Sequence, residues 1–135
     1  MNVEVITYYF LGLLSMWSLG WLIYSLLKLN RTSRGDRYYY WLTHAVWSVV
    51  NLCIAGLSLR ATTNTELFSD EYLRSQRAIV GVNILLDFVY LFVAYRLSKS
   101  SKTAYTQSAK AITVQASFLL VFDIVLVAFY SVALQ

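Results

Sequence analysis

Four apolar stretches, at about 5–27, 39–59, 78–97 and 111–134, each reach the roughly 20 residues that a helix needs to cross a hydrocarbon core. Inside lipid a run of that length satisfies its backbone N–H and C=O groups only by closing them into a helix. The chain is therefore expected to be a single all-α domain over 1–135, a polytopic membrane protein folded as an antiparallel bundle of four transmembrane helices. Composition agrees: 59% of the residues are hydrophobic and only 13% are charged, whereas soluble domains carry about a quarter charged residues. Residues before the first stretch include Glu4 and no Lys or Arg, so that stretch reads as a retained helix rather than a cleaved signal. The lone Cys53 excludes an intrachain disulfide and any cysteine-based metal or redox motif, and it reads as a small buried apolar residue.

Charge sets the expected orientation. The connections at 28–37 and 96–110 hold four basic residues each, against three in the connection at 60–77 and none at either terminus. Short cytoplasmic loops collect Lys and Arg, which places the first and third connections inside and both termini outside. Asn30-Arg31-Thr32 and Arg34-Gly35-Asp36 match a glycosylation acceptor and an adhesion tripeptide, but on the cytoplasmic side neither is used. The basic loops are a topology signal that also attracts anionic headgroups; the bilayer, and no nucleic acid, is the expected partner. Tyr8, Tyr9, Tyr72 and Tyr130 are expected at the outer interface, and Tyr24, Tyr38, Tyr39, Tyr40, Trp41 and Tyr95 at the inner one. Ser69, followed by Asp70 and Glu71, reads as the start of the third helix, projecting beyond the bilayer.

Polar residues recur at one depth of all four stretches: Ser15 and Ser18, Asn51, Asp87, and Asp123. An Asp at a helix centre costs about 2.5–3.5 kcal/mol to insert, and no Lys or Arg lies at that depth to neutralise it. Both carboxyls must therefore face protein or water. Helical spacing agrees, since His44, Trp47, Asn51, Ala55 and Ser58 share one face, as do Val80, Asn83, Asp87, Tyr90 and Ala94. Asp123 shares a face with Leu119, Leu126 and Tyr130, with Gln115 two turns nearer the cytoplasm. In the first helix Leu11, Ser15, Ser18, Leu22 and Ser25 form a face read as packing surface, with the lining of a polar cavity as the sharper reading; Gly12 and Gly20 add small residues that admit a neighbouring helix.

Two buried carboxyls without a basic partner are both protonated, share one proton or bind a cation, because burial and a like neighbour each disfavour the second negative charge. A purely adhesive layer gains about 0.6–2 kcal/mol per interhelical hydrogen bond, short of the insertion cost. The shortfall favours a site. Asp87 and Asp123 then carry the charge, Asn51 and Asn83 supply oxygens or hydrogen bonds, and His44, Gln115, Tyr90, Ser15 and Ser18 are pathway candidates. His44 reads first as an interfacial histidine bonded to a neighbour or a headgroup, and only second as a relay that hands protons between the inner surface and the layer. One His and two Asp form no recognisable metal set. No nucleophile, base and orienter occur together, so neither an enzyme nor a cofactor is expected.

Trp47 with Asn51 and Ala55-Gly56-Leu57, Asn83-Ile84-Leu85-Leu86-Asp87-Phe88-Val89-Tyr90, and Gln115 followed by Phe122-Asp123 resemble a family of small four-helix bacterial membrane proteins of unknown function. The likeness spans the last three helices. It departs at Ser108-Ala109-Lys110, where the family tends to have a glycine-bearing turn, and at Ala116, where a glycine is common. The resemblance implies a bacterial inner membrane and no particular activity.

Three readings stay open. The first is a homo-oligomeric protein whose mid-membrane layer binds or conducts a cation or proton. The second is a structural or interaction protein in which that layer only holds the bundle or a partner together. The third is a proton-coupled exporter of organic cations, with Trp47 and Tyr90 receiving the ligand.

Overall fold

The structure, a computed structural model, describes residues 2–32, 37–62 and 69–135, with 61 and 62 described by their backbone. The tripeptide at 34–36 and most of the polar connection at 61–68 lie outside the described residues. Among the described residues all regular structure is helical: α1 (Val3–Arg31), α2 (Tyr38–Thr62), α3 (Asp70–Ser98) and α4 (Thr103–Ala133). All four are long and apolar enough to cross a membrane, and the chain is a multi-pass membrane protein in contact with the bilayer.

The helices outrun the apolar stretches because hydropathy marks the part of a helix that lipid covers, not its hydrogen-bonded ends. Ser69 caps α3 by accepting from the Tyr72 N–H at 3.2 Å, with Asp70 and Glu71 in the first turn as expected. Asn2 caps α1 through the Val5 N–H at 3.3 Å. Because α4 begins at Thr103, Ser108-Ala109-Lys110 is helix interior and not a turn. Arg37, at a left-handed φ of 56°, turns the chain into α2 and lays its guanidinium 4.4 Å from the Tyr40 ring, a cation–π contact that offsets part of the backbone cost.

Backbones pack closely between α1 and α2, α2 and α4, and α3 and α4. The parallel pair α2 and α4 thus forms the short diagonal of the bundle. Small side chains make that approach possible: Ala45, Ser48 and Ala55 on α2, and Ala109, Ala111 and Ala116 on α4, are buried. Ala116 is small enough to be wholly enclosed. The glycines do not contribute, since Gly12 and Gly20 are exposed with open space above them. On α3 the buried residues Leu73, Val80, Asp87 and Ala94 fall every seventh position, the narrow seam of a helix that packs chiefly on one neighbour.

Several sequence expectations shift. The buried face of α1 is Thr7, Leu14, Ser18 and Ser25, leaving Leu11, Ser15 and Leu22 half-buried. Cys53 is exposed on the outer surface, because Asn51 and Ala55 take the interior of α2. Tyr130 and Trp41 are buried rather than belted at the interface. Tyr130 joins the core with Leu14, Phe122 and Leu126, while Trp41 is enclosed by Tyr24, Tyr40, Lys28 and Arg37. At the end of the bundle that carries the α1–α2 and α3–α4 connections, Lys28, Arg37, Lys99 and Lys102 each lie over an aromatic ring. We call this the basic end, and the opposite one the terminal end.

Candidate functional site

Asp87 on α3 and Asp123 on α4 come together at mid-depth, within hydrogen-bonding reach of each other. The seventh-residue seam of α3 and the α4 face of Phe122, Asp123 and Leu126 put them there. A hydrogen bond between two carboxyls needs a proton on one of them. They are 3% and 7% exposed, and Asn51 opposite them on α2 is 3% exposed. Asp87 Oδ2 and Asn51 Nδ2 are enclosed without a hydrogen-bond partner among the described residues. An acceptor and a donor left unpaired in one apolar setting cost about 1–3 kcal/mol each. The layer has spare polar capacity.

It also has room. Asn51, Asn83, Asp87 and Asp123 line a cavity of about 180 Å³, walled by Trp47 and Tyr90, whose rings meet edge to face at 5.0 Å. A second cavity of about 160 Å³ runs from Thr7, Tyr72 and Gln76 near the terminal end down to Asn83 and Asp123. The two share Leu14, Ile54, Asn83, Phe122 and Asp123. Asn83, half-buried, stands between them.

Toward the basic end the interior is built differently. His44 and Gln115 are fully buried, joined by a 2.7 Å bond between Gln115 Nε2 and His44 Nδ1, and Gln115 Oε1 accepts from Trp17 Nε1 at 3.0 Å. With Nδ1 accepting, the neutral imidazole carries its proton on Nε2. The Trp21 ring stacks on His44 at 3.9 Å and 6°, Tyr40 meets it edge-on at 4.6 Å, and Trp17 stacks on Phe118 at 3.9 Å. Two further bonds tie α2 to α4 beyond this layer, Thr43 to Ser108 at 2.9 Å and the Tyr39 N–H to Gln107 at 3.1 Å.

Of the residues singled out in the sequence, Asp87, Asp123, Asn51, Asn83 and Tyr90 meet at one cavity. His44 and Gln115 meet each other in the layer toward the basic end and line neither cavity. Ser18 is fully buried with an unpartnered hydroxyl, whereas Ser15 returns its hydroxyl to the Leu11 carbonyl at 2.8 Å. Sequence reading missed Ser48, Trp17 and Trp21. Ser48 is fully buried between His44 and Asn51, and its spacing of four and three from them was the available signal. Trp17 and Trp21 carried only their own spacing of four. Among the described residues no three His, Cys, Asp or Glu side chains group to hold a metal ion.

A family of unknown function, DUF6992, matches residues 13–124. The chain belongs to that family. No curated protein and no solved structure matches it.

Proposed function

We propose that this member of a family of unknown function is a membrane protein whose carboxyl pair, Asp87 and Asp123, binds a proton or small cation at mid-depth and exchanges it with the terminal end of the bundle. One observation carries the reading: the paired carboxyls adjoin a cavity in which Asp87 Oδ2 and Asn51 Nδ2 have no partner. Unpaired buried groups also occur at His44 Nε2 and Ser48 Oγ, but Asp87 and Asn51 line a cavity, so these two have both spare hydrogen-bonding capacity and room for a ligand. Asn51 and Asn83 supply the neutral ligands, and the cavity from Thr7 to Asp123 supplies access.

Passage onward to the basic end requires the stacked layer of Trp21, His44 and Gln115 to part, which favours gated, carrier-like passage through the site over an open pore. The expected orientation puts the terminal end outside a bacterial inner membrane, following the basic loops. Self-association belongs to the same reading, because Gly12, Gly20 and Gly56 offer bare backbone on outward faces with open space above it.

The test is proton and cation flux into liposomes holding purified protein, wild type beside Asp87→Asn and Asp123→Asn, with assembly checked in detergent. Flux in wild type and silence in well-assembled variants supports the reading. Equal flux in all three, or flux in none, contradicts it and returns the layer to adhesion.

A further inference from the structure

The mid-depth cavity lacks a wall on one side. Its lining includes Val50 and Ile54 of α2 and Leu86 of α3, all exposed on the outside of the bundle. The α2 and α3 backbones are not among the closely packed pairs, and the two helices touch there through Trp47 and Tyr90. The cavity therefore opens sideways, between α2 and α3, toward hydrocarbon. At its base lie Asp87 and Asn51, each 3% exposed, with Asp87 Oδ2 and Asn51 Nδ2 unpartnered.

We propose that a lipophilic amine enters from the bilayer through this side opening, seats its nitrogen against Asp87 beside Trp47 and Tyr90, and leaves its alkyl body between α2 and α3. This rests on the carboxyl pair being a cation site and names the class of cation. Each part of the opening selects one part of such a ligand. The rim of Val50, Ile54 and Leu86 offers no polar group, so a hydrated inorganic ion is refused there and an alkyl chain is not. Trp47 and Tyr90 line the cavity with aromatic rings, whose negative quadrupole attracts an ammonium. Asp87 Oδ2 accepts from the nitrogen, and the Asn51 amide can turn to present its oxygen.

Proton accounting closes within the site. An amine crosses hydrocarbon uncharged, because a charge there is costly. At the base its nitrogen takes the proton held between Asp87 and Asp123: the carboxyl O–H bond breaks, an N–H bond forms, and ammonium is left beside carboxylate. The site's total charge is unchanged. The amine and the proton thus occupy the carboxyl pair together as an ammonium, and they arrive by two routes, the amine from lipid and the proton through the cavity at the terminal end.

The test is equilibrium binding of radiolabelled octylamine to the protein in nanodiscs, against empty nanodiscs, with proton flux of the same proteins in liposomes. Wild type is expected to bind saturably, with apparent affinity rising about fourfold per methylene from butylamine to octylamine. Val50→Trp and, independently, Leu86→Trp fill the opening from exposed positions that line the mid-depth cavity and not the access cavity; each should weaken octylamine by at least about tenfold, as if two methylenes were held out of the gap, and keep the flux. Asp87→Asn should lose both. Octylamine bound no better than to empty nanodiscs, or bound equally by both tryptophan variants while flux persists, overturns the amine proposal and leaves the carboxyl-pair reading standing. Absence of any Asp87-dependent flux or binding removes both. Wild-type dimers that Val50→Trp dissociates would show that a second copy covers the gap, which also overturns the proposal.

Discussion

Two buried polar layers lie about two helical turns apart in the same bundle, and they are finished to different degrees. Around Gln115 both side-chain groups are bonded, one to His44 and one to Trp17, and aromatic rings stack against the pair, with His44 Nε2 enclosed and unpartnered among the described residues. Around Asp87 and Asp123 the carboxyls have chiefly each other, two enclosed polar atoms have no partner, and a cavity of about 180 Å³ adjoins them. Burial alone does not separate the layers, since His44, Gln115, Asn51 and Asp87 are all nearly inaccessible. Space separates them: among the described residues His44 Nε2 and Ser48 Oγ are unpartnered in one layer and Asp87 Oδ2 and Asn51 Nδ2 in the other, but it is Asp87 and Asn51 that line the cavity. A tightly stacked layer holds helices in place, whereas a buried layer whose unpaired groups border a cavity has room for something else.

This contrast can be broken most sharply by neutralising the open layer. Asp87→Asn keeps side-chain volume and hydrogen-bonding capacity, so its unfolding free energy in detergent should stay within about 1 kcal/mol of wild type while flux in liposomes disappears. The closed layer should respond in the opposite sense. Gln115→Leu strands His44 Nδ1 and Trp17 Nε1 and should cost about 2 kcal/mol of stability, read as a lower midpoint in a denaturant titration, with flux altered only as far as folding is. A smaller loss, about 1 kcal/mol, is expected for Trp21→Leu, which removes the ring stacked on His44. Asn83→Ala is the mildest: a half-buried residue between two cavities should change stability by about 0.5 kcal/mol or less, and cation affinity measurably. Equal stability losses in the two layers would erase the distinction between them.

Much of this arrangement was legible in the sequence, and what was not has a physical reason. Hydropathy located four helices, and periodicity on α3 placed Asn83, Asp87 and Tyr90 on one face, because each depends on a single helix. The Ser69 cap followed from local chemistry. Which faces meet depends on side-chain volumes from several helices at once. The close α2–α4 diagonal rests on Ala45, Ala55, Ala109 and Ala116, residues unremarkable in an apolar run, while the more conspicuous Gly12 and Gly20 face outward. The layer around Gln115 needs Trp17 and Trp21 from α1, His44 from α2 and Gln115 from α4. No periodicity within one helix announces it. Cys53 shows the same limit: apolar surroundings in sequence did not mean burial, since lipid-facing positions are as apolar as the core.

The most direct test of the account is the infrared spectrum of the carboxylic C=O stretch in nanodiscs, recorded for wild type, Asp87→Asn, Asp123→Asn and Gln115→Leu. The account predicts a protonated-carboxyl band that a change of pH or added cation alters, that is lost in either Asp variant and that persists in Gln115→Leu. A band absent from wild type, or unchanged by the Asp substitutions, would contradict it.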